Sequence, residues 1–236
     1  MPCTTAHAAK PRADPLPCTR QFPEIGYFGR YRFGYYRTSS LGHNVLRFDN
    51  EAQDAEGNAA IDQANLNHVE GPRARINLTG GYARGGARYV HRGFRFLDNF
   101  TVFCVRDEWQ HELATTVQWV LHTPAQVTVD ASKPHIATLT LDGVSLHVTV
   151  LSASGAHAVR LSAELLQLPP PQITPDPSVT VVIAEIAADA GGLTVTFGSS
   201  QAASAGTASV VPPLAMWEMS DASSRIGSSR LAKQTK

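Results

Sequence analysis

Residues 87–106 read ARYVHRGFRFLDNFTVFCVR. The first part alternates, with Val90, Phe94 and Phe96 as the inward set around Gly93, which is the period of a half-buried strand. Asp98-Asn99 has turn chemistry. Residues 100–106, FTVFCVR, read as a second strand closed by Asp107-Glu108. Strand, tight turn and strand predict an adjacent antiparallel pair.

The same pattern extends in both directions. Residues 44–49 alternate weakly, and 74–82 end in paired glycines; both read as strands. Residues 116–122, 126–130 and 159–166 read likewise. Residues 136–141 and 144–151 flank Asp142-Gly143, a strong hairpin signal. Residues 179–186 and 193–197 are expected to form a last pair around residues 189–192. Residues 50–71 read as a long polar loop holding a bulge or short hairpin. Residues 25–36, IGYFGRYRFGYY, suit bent strands or a loop packed on a sheet.

No segment carries a long 3.6-residue apolar period, and turn signals recur every ~8–12 residues. The expectation is an all-β chain, a layered antiparallel β-sandwich. A parallel α/β fold needs crossover helices for which there is no room. Residues 1–24 read as a disordered or unrelated leader, 25–215 as the sandwich, and 216–236 as a flexible polar tail. Pro212-Pro213, Leu214, Met216 and Trp217 are expected to tuck against the body.

The 236 residues carry 20 basic and 20 acidic side chains, so wholesale attraction to nucleic acid is not implied. No apolar run approaches the ~18 residues of a membrane span. The N-terminus lacks the apolar core of a secretion signal. Taken literally that means the cytoplasm, unless the true start lies further upstream. Cys3 and Cys18 could pair after export, whereas Cys104 in an apolar strand reads as a buried, inert thiol.

Residues 35–53, YYRTSSLGHNVLRFDNEAQ, concentrate groups able to grip an anionic or polyhydroxy ligand. His43, between Gly42 and Asn44, has two readings: a metal or substrate contact, or a polar histidine at a strand start satisfied by backbone. The cluster Tyr27, Arg30, Tyr31, Arg32, Tyr35, Tyr36 and Arg37 can stack on sugars and bind carboxylates or sulfates, or it is a twisted strand with outward arginines. Arg84, Arg88, His91, Arg92 and Arg95 read as structural surface. Asp107 and Glu108 point apart on a strand, which makes them poor joint acid–base candidates. Trp109, Trp119 and His122 read as core or rim groups.

RTSSLGHNVLRFDNEAQ resembles the segment of heparinase II/III-like polysaccharide lyases in which a His-Asn pair precedes a strand, a polar turn and a glutamine. YVHRGFRFLDNFTVFCVRDEW and VQWVLHTPAQV resemble later strands of the same family. The resemblance spans roughly residues 27–165 and implies the C-terminal β domain, of supersandwich type. In such lyases an N-terminal α/α toroid completes a cleft that cleaves acidic polysaccharide by β-elimination. The resemblance implies His43 as a zinc ligand and Tyr31 as the catalytic tyrosine, among Tyr27, Tyr31 and Tyr35, while Tyr35, Arg37 and Asn44 are the substrate-contact candidates. Family members are usually periplasmic or secreted. The chain departs from the family in having no toroid and no upstream H-x-H-like segment; His7 stands alone, and Asp14 is a poor match for the aspartate ligand. The expectation is therefore an incomplete lyase, weakly active or inactive alone, whose toroid belongs to another chain or a longer gene product. The alternative is a non-catalytic carbohydrate-binding or structural β-sandwich.

Overall fold

The computed structural model describes residues 32–113, 115–152, 159–168, 179–187, 190–201 and 211–217. The leader at 1–24, Tyr27, Arg30, Tyr31, Cys3, Cys18 and the tail beyond Trp217 lie outside them.

The architecture is all-β: two antiparallel sheets packed as a layered sandwich. The strands are β1 (Leu46–Phe48), β2 (Ala60–Asn65), β3 (Arg73–Asn77), β4 (Ala87–Leu97), β5 (Val102–His111), β6 (Thr116–Thr123), β7 (Gln126–Val129), β8 (Ile136–Leu141), β9 (Val144–Ser152), β10 (Arg160–Leu165), β11 (Thr180–Ala187) and β12 (Ala190–Gly198). The smaller sheet has the order β1-β6-β11-β10, and the larger β2-β3-β4-β5-β12-β9-β8-β7. Alternation builds the core. Val90, Val105, Trp109, Val148, Val150, Leu193 and Val195 of the larger sheet meet Leu46, Phe48, Val117, Trp119, Val182 and Ala184 of the smaller.

β4 and β5 form the expected antiparallel pair, in register from Leu97↔Val102 through Val90↔Trp109. The turn between them places Asp98, Asn99 and Phe100 at positive φ. β5 runs on to His111, past the expected stop at Asp107-Glu108, because those two carboxylates are partnered on opposite faces of the strand. Asp142 and Gly143 turn the β8–β9 hairpin at φ 50° and 80°. Within the expected 50–71 loop, β2 pairs with β3 across a register shift between Ile61 and Gln63.

The last two strands differ from expectation. β11 and β12 are not a pair: β11 lies between β6 and β10, and β12 between β5 and β9. Each carries an apolar inward row, and a hairpin would place both rows in one sheet. Crossing between sheets lets the two rows face each other across the core.

Residues 211–217 lie against the outer face of the larger sheet. Leu214 is fully buried, and Trp217 nearly so, over Gly93. The backbone N–H of Leu214 donates to Glu108 at 2.9 Å, and Arg106 donates to the Val211 carbonyl at 3.2 Å. Beneath this strap Cys104 is buried and free, and burial pushes its thiol up to about 12.

Candidate functional site

Where bent strands were one expectation for the aromatic stretch, residues 32–42 instead wind through three short 3-10 turns and bring the chain across the outer face of the smaller sheet. Tyr35 sits between two of the turns, and its carbonyl accepts from the N–H of Thr38 (3.1 Å) and of Ser39 (2.9 Å). Gly42 is required here, since a Cβ would press into the Tyr36 backbone. The chain then enters β1, where Leu46 and Phe48 face the core and Arg47 turns the other way.

Asn44 extends the β1–β6 ladder with its side chain. The Val45 carbonyl takes the N–H of Val120 at 3.1 Å. One rung on, Asn44 Oδ1 takes the N–H of His122 at 2.8 Å and lies 3.2 Å from His122 Nδ1. A backbone carbonyl in the same position would reach only the first of these. Because Oδ1 accepts only, the proton of the neutral imidazole sits on Nδ1, and Nε2 is left as an acceptor. Nε2 faces the Tyr36 hydroxyl at 2.7 Å. Arg47 donates to that hydroxyl oxygen at 3.2 Å, to Asn50 at 3.3 Å, and to the Leu41 carbonyl. The directions are consistent: Arg47 donates to Tyr36, Tyr36 to His122, and His122 to Asn44. Burial, then Arg47, then His43 push the His122 imidazole down to about 4, so it is neutral near pH 7.

The other sheet anchors this loop. Arg92 and Asp107, both buried, form a bidentate pair at 2.7 and 2.8 Å. Arg92 also donates to the Asn44 carbonyl at 2.7 Å, and Tyr82 donates to the Leu46 carbonyl at 2.8 Å. Arg92 on β4 and Tyr82 in the β3–β4 connection therefore hold the backbone on which the Asn44 side chain is carried.

Tyr36 and Arg47 open onto a groove of about 540 Å³ walled by Glu164, Gln167, Val181 and Ile183. A second cleft, about 630 Å³, lies beyond the other end of β1 between Phe48, Tyr82 and His111. Its rim carries Asp49, Glu51, Asp54 and Glu56 against Arg84, the wrong sign for an acidic ligand.

Of the residues singled out from sequence, the structure brings together Asn44, Tyr36 of the aromatic-basic cluster, and His122. His43 is exposed, and its backbone N–H bonds the Ser40 carbonyl at 3.1 Å. Arg37 is exposed, and Tyr31 lies outside the described residues. Among the described residues no three His, Cys, Asp or Glu side chains converge as a metal site. Sequence reading missed the roles of Arg47 and His122. The available signal was their outward position on two strands whose alternate residues are strongly apolar.

No protein-family model and no curated protein matches the chain. Several solved structures share its fold. A lysine-methylated heparinase III aligns at TM-score 0.51 with 14% identity, over 69% of this chain and 24% of its own. Another heparinase III aligns at TM-score 0.51 with 14% identity, over 74% and 26%. A heparan sulfate lyase HepC mutant from Pedobacter heparinus aligns at TM-score 0.50 with 15% identity, over 66% and 24%. The chain thus spans about a quarter of each of these proteins, and the similarity is one of fold.

Proposed function

We propose that this chain is the β-sandwich part of a polysaccharide lyase acting on uronate-containing acidic glycans by β-elimination. The observation that carries this reading is the Tyr36 hydroxyl, 2.7 Å from a neutral imidazole and 3.2 Å from a guanidinium, at an open groove. In the proposed reaction a base from the remaining walls takes the proton from C5 of the uronate. The C4–O bond breaks, a C4=C5 double bond forms, and the Tyr36 hydroxyl, oriented by His122 Nε2, gives its proton to the leaving oxygen, with Arg47 stabilising the resulting phenolate. Asn44, Tyr35 and Arg37 are the proposed glycan contacts. The remaining walls, including any zinc ligands besides His43, would come from a toroid domain or a separate chain. Tyr31 is the competing candidate for the catalytic tyrosine.

The fold likeness to heparinase III and to a heparan sulfate lyase supports the substrate class. A second reading, a non-catalytic carbohydrate-binding sandwich, is favoured by the engagement of Arg47 with Leu41, Asn50 and Tyr36. The test is the rise in ultraviolet absorbance from unsaturated uronate, for the wild type, Tyr36→Phe, His122→Gln and Tyr31→Phe. A rise abolished by the first two substitutions supports the pair, whereas one that survives both overturns it. Glycan binding without any rise, unaffected by His43→Ala and Tyr31→Phe, supports the second reading.

A further inference from the structure

Two segments carry the pattern Asn-x-Thr: Asn77-Leu78-Thr79 and Asn99-Phe100-Thr101. This tripeptide is the acceptor for transfer of a glycan to the asparagine amide when it lies at the surface. The fold treats the two copies in opposite ways. Asn99, Phe100 and Thr101 lie in the β4–β5 turn, and all three are exposed. The Asn99 side chain makes no hydrogen bond among the described residues. The Thr101 hydroxyl bonds only within the turn, donating to the Asp98 carbonyl at 2.6 Å. Asp98, Asn99 and Phe100 follow one another at φ 50°, 51° and 68°. Asp and Asn tolerate that region, whereas a bulky aromatic adopts it at a cost. Burial does not offset the cost, because Phe100 is 62% exposed. The turn instead sets the Phe100 ring 5.7 Å from that of Phe96. The two rings offer an apolar surface to the C–H face of a sugar joined to Asn99.

Asn77 is placed differently. It ends β3, a strand held between β2 and β4, and pairs with Ala60 and His91. It is half-buried, and its Oδ1 accepts from the Thr79 N–H at 3.0 Å. The Thr79 hydroxyl in turn accepts the Val90 N–H at 3.0 Å. Both polar side chains of this copy therefore belong to the bonding of the sheet.

We infer that Asn99 is an N-glycosylation site and that Asn77 is not. In the transfer, Nδ2 of Asn99 attacks the anomeric carbon of an oligosaccharide carried on a polyprenyl pyrophosphate. The bond from that carbon to the pyrophosphate oxygen breaks, and the polyprenyl pyrophosphate leaves. The amide gives up one proton as the new C–N bond forms. This chemistry takes place on the lumenal side of a membrane, so a glycan on Asn99 marks an exported chain. The β4–β5 turn belongs to the other sheet from Tyr36 and His122, so the site stands or falls independently of the lyase reading.

The test expresses the full chain behind a cleavable secretion signal in a eukaryotic cell. The protein is recovered from medium and lysate, and its mass is read before and after digestion with peptide-N-glycosidase. The wild type is expected to carry a single removable glycan, mapped by peptide mass to position 99. Asn99→Asp keeps a residue tolerant of positive φ and is expected to abolish that glycan. Thr101→Val is expected to abolish it as well, whereas Thr101→Ser keeps the hydroxyl and is expected to retain it. Asn77→Asp is expected to leave the glycan in place. A wild type recovered without any removable glycan overturns the site. So does a glycan that survives in Asn99→Asp, or one that vanishes in Asn77→Asp.

Discussion

The hydroxyl of Tyr36 meets Nε2 of His122 at 2.7 Å, and the ring centroids stand 5.7 Å apart, edge to face. Burial, Arg47 and His43 lower His122 to about 4 from an ordinary 6.5. The unfolded chain therefore binds more protons than the folded one between these values. The stability contribution of His122 is complete above about 6.5 and is lost as pH falls through about 4. We expect an NMR titration midpoint for His122 near pH 4, moving upward in Arg47→Gln. A midpoint near 6.5 in the wild type would refute this environment.

Asn44→Ala removes one acceptor that serves two donors. We expect a loss of about 1–2 kcal/mol in urea unfolding, with the Nδ1–H resonance of His122 broadened by exchange. Asn44→Asp keeps the acceptor and is expected to retain most of the stability. Equal losses in the two variants would show that Oδ1 is not the group that matters.

The Arg92–Asp107 pair is buried on both sides, with Asp107 fully so. Asp107→Ala leaves an uncompensated guanidinium in the core, and we expect a loss of about 3–5 kcal/mol. Arg92→Met/Asp107→Leu is expected to cost less than the two single losses summed. A purely additive double variant in denaturant titrations would contradict the pairing.

At Gly93 a Cβ would meet the side chain of Leu214 and approach Trp217 at 2.8 Å. Gly93→Ala therefore displaces the strap, at an expected cost of about 1–3 kcal/mol. Cys104 reports on this directly. Its thiol, buried and pushed up to about 12, is expected to resist alkylation in the native wild type and to react in the variant. A Cys104 equally protected in both would show that the strap does not cover it.

The strand pattern was legible because alternation on a half-buried sheet is a local signal, as residues 87–106 illustrate. The partition of strands between sheets was not. β11 and β12 look like a hairpin locally, and their separation is decided by which apolar rows meet across the core. At the site, Asn44 was visible as a polar residue at a strand entrance. His122 was not, because its partner Tyr36 lies 86 residues away and no local pattern encodes that distance. Arg47 was hidden for a related reason: a charged residue within a buried three-residue strand reads as solvent-facing, although here the 3-10 turns cover it.

The placement of β11 and β12 has a consequence for how the chain is made. These two strands lie late in sequence yet occupy interior positions in both sheets, between β6 and β10 and between β5 and β9. During synthesis the earlier strands emerge with those four edges unpaired, and the smaller sheet cannot close until residue 187, nor the larger until residue 198, has left the ribosome. Most of the contacts that hold the sandwich are therefore long-range, which places it among slow-folding topologies. Nascent chains stalled before β11 are expected to be the aggregation-prone species, because open strand edges template association with other chains.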